Sequence, residues 1–213
     1  MHHGGIVGIT YGGTSTKVIN CVNYADIVSS GSNNLSGGGG IIGFTNYGAT
    51  IYNCSNNGKI NGENAGGILG YAYGSSATLK IGNCNNFGEI SGTKNSGGIL
   101  GNDMTPLYLF NCYNCGILDS TITGGVIISN NQTNIKEIDN CFFLENLGKT
   151  NIDGIIPVSK EMMQNEDFID TLNLYISSKI SDTGWAKWKR GIDGYPILDF
   201  NTIWNGTEWE TIE

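Results

Sequence analysis

The sequence predicts an all-β fold, a right-handed parallel β-helix (solenoid) of about five coils with a small α-containing C-terminal cap. A Gly-Gly block recurs as GGIVG at 4–8, GGIIG at 39–43, GGILG at 66–70, GGILG at 97–101 and a decayed GGVII at 124–128. An Asn-Cys dipeptide follows each block, starting at Asn20, Asn53, Asn83, Asn111 and Asn140, with offsets of 33, 30, 28 and 29 residues. We therefore assign the repeats to residues 1–148 and the capping segment to residues 149–213.

Each repeat is expected to contain three short strands bounded by Gly, Asn and Ser, which are residues typical of turns. The Gly-Gly block forms the first strand. The second strand approaches the cysteine through Val18, Ile51, Ile81 or Leu109, and the third carries Ile27, Ile60, Ile90 or Leu118. Stacking at about 4.8 Å then places equivalent residues over one another and builds a continuous apolar core. Right-handed winding is expected from the crossover rule.

The recurring asparagines predict side-chain ladders at the bends. One row is Asn20, Asn53, Asn83, Asn111 and Asn140, and a second is Asn23, Asn56, Asn86 and Asn114. Stacked amides can bond to the coils above and below, and Asn tolerates positive φ where the chain turns. A ligand-binding row of asparagines is the alternative, and we favour the structural ladder because the row coincides with core positions.

The cysteines predict a buried row of free thiols rather than disulfides, because in-register stacking makes their Cβ vectors parallel. This row is Cys21, Cys54, Cys84, Cys112 and Cys141. Cys112 and Cys115 have the spacing of a redox or zinc motif, but the sequence has no second such pair. We therefore predict no metal site and no cofactor.

The C-terminal segment predicts one helix over 157–173, with Ser159 as N-cap. Its apolar face would be Met162, Met163, Phe168, Ile169 and Leu172. This helix would cover the open solenoid edge, which otherwise invites pairing with another chain. An aromatic segment from Trp185 to Leu198 is expected to pack back on the cap, and Trp204 and Trp209 are expected in an exposed tail.

Charge and histidine content exclude several functional classes. All of the net charge of −8 lies in 119–213, and no basic stripe suits nucleic acid. No apolar stretch is long enough to span a bilayer. The two histidines are His2 and His3, which leaves no Ser-His-Asp or HExxH site in the body of the chain. The repeat carboxylates are scattered over turn positions, namely Asp26, Glu63, Glu89 and Asp103. We predict no catalytic residues and no enzyme activity.

Aromatic residues that follow the Gly-Gly blocks are the remaining binding signal. They are Tyr11, Phe44, Tyr47, Tyr71 and Tyr73. An exposed face with several rings could stack on sugar or peptide. Packing between rings of neighbouring coils explains the same pattern, and we favour it over ligand binding.

The paired pattern Gly-Gly-Ile-Leu-Gly and Ile-x-Asn-Cys-x-Asn-x-Gly-x-Ile resembles the GLUG-motif repeats of large bacterial surface and secreted proteins. These include adhesin-like proteins and non-catalytic regions of immunoglobulin A metallopeptidases. The resemblance covers residues 4–148 and carries no catalytic residues.

The resemblance implies an extracellular module, at the bacterial cell surface or secreted, within a longer multidomain chain. Its implied function is structural and adhesive, presenting a binding surface to a glycan or a host protein, without nucleic-acid binding or membrane insertion. The alternative is a carbohydrate-active solenoid or a substrate-positioning accessory domain of a secreted hydrolase or peptidase.

Overall fold

The computed structural model describes residues 1–12, 16–31, 36–74, 77–119, 125–129, 134–150 and 152–212. They form a parallel β-solenoid of about four regular turns with two helices near the C-terminus, which confirms the predicted fold class. A fifth coil is present in part, through bridges from Gly97 to Gly125 and from Leu100 to Ile128. Gly124 of the decayed fifth block lies outside the described residues.

Four parallel sheets form the sides of the solenoid. Sheet A contains His2–Gly4, Ile27–Val28, Gly37–Gly39, Ile60–Gly66 and Ile90–Gly97. Sheet B contains Val7–Thr10, Ile42–Thr45, Leu69–Ala72 and Leu100–Asp103. Sheet C contains Thr16–Ile19, Ala49–Tyr52, Leu79–Gly82, Leu107–Phe110 and Ile135–Asp139. Sheet D contains Val22–Asn23, Ser55–Asn56, Asn85–Asn86, Tyr113–Asn114, Cys141–Leu144 and Ile155–Val158.

Equivalent residues of successive coils are paired in register. In sheet C the column runs Val18, Ile51, Ile81, Leu109 and Ile138.

Sheet D adds a strand to each coil that the sequence did not predict. In the first four coils each of its strands follows an asparagine that turns the chain sharply, with φ between 53° and 57°, and is only two residues long. Two residues are too few to produce a recognisable periodicity.

The Gly-Gly block and the Asn-x-Gly motif of one coil are contact partners across the core. A Cβ on Gly40 would lie 2.5 Å from the Asn56 side chain, and one on Gly67 would lie 2.5 Å from that of Asn86. These approaches leave no room for any side chain. The pairing explains why the two motifs recur together.

The main core consists of stacked aliphatic and cysteine side chains. Its interior members are completely buried, as Ile41, Ile68 and Ile99 show, whereas the equivalent Ile6 of the first coil is 46% exposed. A coil therefore depends on a neighbour on each side to bury its apolar residues.

The C-terminal segment, 149–213, contains two helices rather than the single predicted helix. Helix α1 spans Lys160–Met163 and helix α2 spans Glu166–Lys179. Ser159 caps α1 as predicted, by accepting a bond from the Met162 N–H. The next helix, α2, begins after Asn165, whose side chain caps it by accepting from the Asp167 N–H. A short 3-10 helix, Glu145–Leu147, precedes this segment.

An antiparallel sheet E completes the segment, with strands Trp185–Arg190, Pro196–Trp204 and Trp209–Thr211. We call α1, α2 and sheet E the lateral module, because they pack along the side of the solenoid. The strand Ile155–Val158, not the helix, continues sheet D beyond the last coil. The expected exposed tail is also wrong: Trp204 is buried and stacks edge-on with Trp209, with 5.5 Å between ring centroids.

Candidate functional site

The aromatic residues predicted for ligand binding divide into two groups. Tyr11, Tyr47 and Tyr73 are exposed, with exposed fractions of 80%, 41% and 45%. Phe44 and Tyr71 are buried, so the expectation that they are exposed is wrong. Their rings occupy one register position in sheet B and contact each other edge to face at 5.6 Å. A continuous exposed aromatic face is therefore absent from this group of residues.

The first asparagine row forms a hydrogen-bonded ladder. The Nδ2 atoms of Asn53, Asn83 and Asn111 each donate to Oδ1 of the preceding asparagine at 2.8 Å, and Asn140 donates to Asn111 at 2.6 Å. All members of the row have left-handed backbone conformations. Asn combines the side-chain amide that the ladder needs with tolerance of that conformation.

The second row runs in the opposite direction. Asn23 donates to Asn56, Asn56 to Asn86 and Asn86 to Asn114, over 2.8, 2.7 and 2.9 Å. Each of these donor amides also bonds to the carbonyl two residues later. The second row is thereby held inside the solenoid.

The first row has an additional role, which the sequence did not predict, in holding the lateral module. Asn53 donates to the Gly184 carbonyl at 2.8 Å and accepts from the Ala186 N–H at 3.2 Å. Asn83 donates to the Ala186 carbonyl, and Asn111 donates to the Leu172 carbonyl. The amide of Asn53 therefore makes two donor and two acceptor bonds, which is its full capacity.

The cysteine row consists of free thiols that bond to nearby backbone carbonyls. Cys21, Cys54, Cys84, Cys112 and Cys141 are all free, and each thiol bonds to the carbonyl two residues earlier at 3.1 to 3.4 Å. Burial raises the pKa values of Cys84 and Cys112 well above the ordinary value. Burial also raises the pKa of Cys115. Because the thiolate is the reactive form, these groups are unsuited to nucleophilic or redox chemistry.

Three of the repeat carboxylates bond to residues of a neighbouring coil, and Asp26 does so by accepting from the Lys59 N–H at 2.8 Å. Glu89 forms an ion pair with Lys59 at 3.0 Å, and Glu63 forms one with Lys94 at 3.3 Å. Asp103 is buried and accepts from the Thr105 N–H at 2.6 Å, and burial raises its pKa to about 7. Within the described ranges no three His, Cys, Asp or Glu side chains are grouped to hold a metal ion.

An aromatic cluster joins the solenoid to the lateral module. Tyr52 and Phe110 project from sheet C, and Trp185 begins sheet E. The Trp185 ring lies 4.3 Å from the Tyr52 centroid and 5.5 Å from that of Phe110. Phe110 also lies over Gly82 of the preceding coil, where a Cβ would meet its ring at 2.3 Å. A glycine in that column makes room for the ring.

Beside this cluster lies a groove of about 330 Å³ between sheet C and the C-terminal end of α2, which we call the junction groove. Aromatic and charged side chains line it in similar numbers. The lining residues are Tyr52, Lys80, Tyr108, Phe110, Glu137, Asp139, Tyr175, Lys179, Ile180, Ser181, Asp182 and Trp185.

The polar groups of the groove influence one another. The ammonium of Lys80 lies 6.0 Å from the centre of the Tyr108 ring. Burial raises the pKa of Tyr52 to about 12, and the Asp182 carboxylate contributes. Burial also raises the pKa of Tyr175, with a hydrogen bond to Asp139 and the charges of Asp139 and Glu137 acting in the same direction. Both tyrosines thus present neutral hydroxyls at physiological pH.

One solved structure has a similar fold. It is the crystal structure of a Bacteroides ovatus protein named as a "putative immunoglobulin A1 protease", with 21% sequence identity and a TM-score of 0.57. The similarity covers 86% of this chain and 57% of that one, so this chain spans little more than half of that protein's length. At this identity the likeness concerns the fold alone. No family model and no curated protein matches the sequence.

None of the residues proposed from sequence for ligand binding lines the junction groove. A signal was nevertheless present, because Tyr52 and Phe110 occupy the same repeat position, directly before the asparagine. They alternate with the buried Ile51 and Leu109, and this alternation predicts that their rings point out of the solenoid.

In the part of the chain that the structure describes, no helix is long and apolar enough to cross a membrane.

Proposed function

We propose that this chain is a non-catalytic structural and adhesive module of a secreted or cell-surface bacterial protein, which presents a binding surface to host or matrix ligands. The observation that carries the proposal is the use of the repeated polar residues. The asparagines of both rows and the thiols bond to neighbouring coils, to nearby backbone or to the lateral module. The most regular polar residues of the chain therefore build a scaffold.

A scaffold of this type suits ligand presentation. Its coils hold one another through ladders and in-register sheets, and the lateral module is fixed to several coils at once. Surface residues are thereby held in fixed relative positions, which lowers the entropy cost of binding a ligand.

The proposal is tested with the isolated chain in two assays. One incubates it with polysaccharide and protein substrates and monitors cleavage products. The other measures binding to immobilised host glycans and matrix proteins. We expect binding to at least one ligand and no turnover. Substrate turnover that is abolished by Glu137→Gln or Asp103→Asn would overturn the non-catalytic assignment. A failure to bind any ligand would overturn the adhesive assignment.

A second candidate function is a substrate-positioning accessory domain of a secreted hydrolase or peptidase. The similarity to the Bacteroides ovatus fold favours it, because the name of that protein is that of a peptidase. If the parent chain carries a peptidase domain, deleting this module should lower kcat/KM for a large glycoprotein substrate and leave it unchanged for a short peptide. Equal effects on both substrates would contradict positioning.

A further inference from the structure

We infer that the junction groove is a binding site for a neutral oligosaccharide. This inference rests on the proposed function and deepens it, since it names a site and a ligand class for the adhesive surface. Four features of the groove carry it: its aromatic walls, its mixture of hydrogen-bonding groups, its charge balance and the preorganisation of its floor.

The aromatic walls match the apolar faces of pyranose rings. Tyr52, Tyr108 and Phe110 line the groove from sheet C, and Tyr175 lines it from α2. None of these four side chains is fully buried, so part of each ring surface remains open to solvent. Flat aromatic surfaces with a polar hydroxyl at one end bury the C–H face of a sugar and also bond to its hydroxyls.

The polar groups of the groove provide both acceptors and donors. Glu137, Asp139 and Asp182 offer carboxylate oxygens, while Lys80 and Lys179 offer ammonium donors. Each sugar hydroxyl can donate one hydrogen bond and accept up to two, so a site with both acceptors and donors can satisfy it.

The charge balance favours neutral over acidic sugars. Three carboxylates against two ammonium groups give the groove a small negative charge, and residues 119–213 carry the whole net charge of −8. A polyanion such as a uronic-acid polymer would be repelled by this field.

The floor of the groove is preorganised. Tyr108 and Phe110 lie on one strand, in register with Lys80 and Gly82 of the preceding coil and with Glu137 and Asp139 of the next. The sheet hydrogen bonds fix the spacing of these residues, and a ligand would find them in place.

The experiment measures binding of neutral oligosaccharides to the whole chain by glycan array, followed by calorimetry on the best ligand. Tyr108→Ala should weaken binding about tenfold or more, because it removes a stacking surface. Glu137→Gln, on an exposed side chain, should weaken binding while leaving the fold intact. Tyr73→Ala is the matched control, an exposed aromatic on sheet B's side of the solenoid, and should leave affinity unchanged.

The outcomes separate this inference from the proposed function. One outcome would place the site elsewhere: neutral glycan binding that is abolished by Tyr73→Ala or Tyr11→Ala but not by Tyr108→Ala. That result would overturn the assignment of the site to the junction groove and would leave the proposed adhesive function intact. Preference for acidic glycans, or binding only of basic peptides, would overturn the ligand class. Binding to no glycan, together with binding to a matrix protein, would overturn the oligosaccharide inference alone.

Discussion

The solenoid and the lateral module are stabilised by different means. In the solenoid, equivalent aliphatic side chains, thiols and amides stack on copies of themselves. In the lateral module, unlike aromatic side chains form one cluster with rings from several coils, including the Tyr113–Trp188 and Phe142–Phe168 pairs. In the interior coils, repetition spreads stability over many similar contacts, whereas the module depends on a few large contacts. Perturbing each region should therefore have different consequences.

Removal of a central ring of the module should have the largest effect. Trp185→Ala eliminates a buried side chain that contacts Tyr52 and Phe110, and we expect a loss of about 4 kcal/mol in the free energy of unfolding. Urea denaturation measures the loss. Limited proteolysis should then cut the lateral module before the solenoid.

Trp209→Ala is the control for Trp185→Ala, because this ring lies in the same sheet and is only half-buried. Its cost should be about 1 kcal/mol or less. Equal effects of the two changes would show that the module does not depend on its contact with the solenoid.

Substitution of Asn83, which bonds to other ladder asparagines and to the lateral module, should cause the next largest loss of stability. Asn83→Ala removes bonds to Asn53, Asn111 and the Ala186 carbonyl from a fully buried site, and we expect a loss of about 3 kcal/mol. Asn20→Ala tests the same residue type at nearly the same φ in the exposed first coil, and should cost about 1 kcal/mol. Equal losses of stability for Asn83→Ala and Asn20→Ala would show that the ladder contributes equally at every coil.

Mutation of the thiol row should cause a smaller loss in the free energy of unfolding. Cys84→Ala removes one buried sulfur and should cost about 2 kcal/mol. Native protein at pH 8 should react with thiol reagents first at Cys21, which is half-buried, and not at the buried thiols. Mass spectrometry of labelled peptides checks the order.

The sign of the pH effect on the thiols follows from their raised pKa values. Above the ordinary pKa of 9.0, unfolded thiols lose protons that folded ones retain, so stability should fall as pH rises through that region. Stability that rises above pH 9 would contradict the buried neutral row.

The buried carboxylate of Asp103 should make stability depend on pH in the acid range. Its pKa is raised by burial from 3.8 to about 7, so between these values the folded chain retains a proton that the unfolded chain has lost. Stability should then decline by up to about 4 kcal/mol as pH rises from 4 to 7 and level off above 7, because each pKa unit corresponds to about 1.4 kcal/mol. Asp103→Asn should flatten this decline in urea midpoints measured across the range. An unchanged slope would show that another group is responsible.

The difference between the regions also explains what the sequence could predict. The positions of Asn53 and Asn83 in successive repeats were enough to expect stacked amides, because one coil predicts the next. Nothing in the repeat indicates that Asn53 also binds Gly184, since that bond joins residues 131 positions apart. The junction groove depends on the same long-range contact, with Trp185 outside the repeats altogether.

Local rules explain the errors at two places. Tyr71 is buried because Phe44 of the preceding coil and Tyr73 pack against its ring, and its hydroxyl donates to the Met104 sulfur at 3.5 Å. The predicted single helix became two because Asn165 caps a new helix within the segment. In both cases a contact or cap nearby decided the outcome.

The opposite directions of the two asparagine ladders have a consequence for how such a chain changes over generations. Each interior coil donates backward through its first asparagine and forward through its second, as Asn53 and Asn56 show. The first three junctions between coils therefore contain the same two bonds, one in each direction, whereas at the fourth junction Asn114 donates to the Val126 carbonyl instead. A gene duplication or deletion of one period, such as the 30 residues from Asn53 to Asn83, would join coils that already fit. Coil number can then vary among descendants without new mutations at the junction, and the length of the scaffold becomes an easily altered trait.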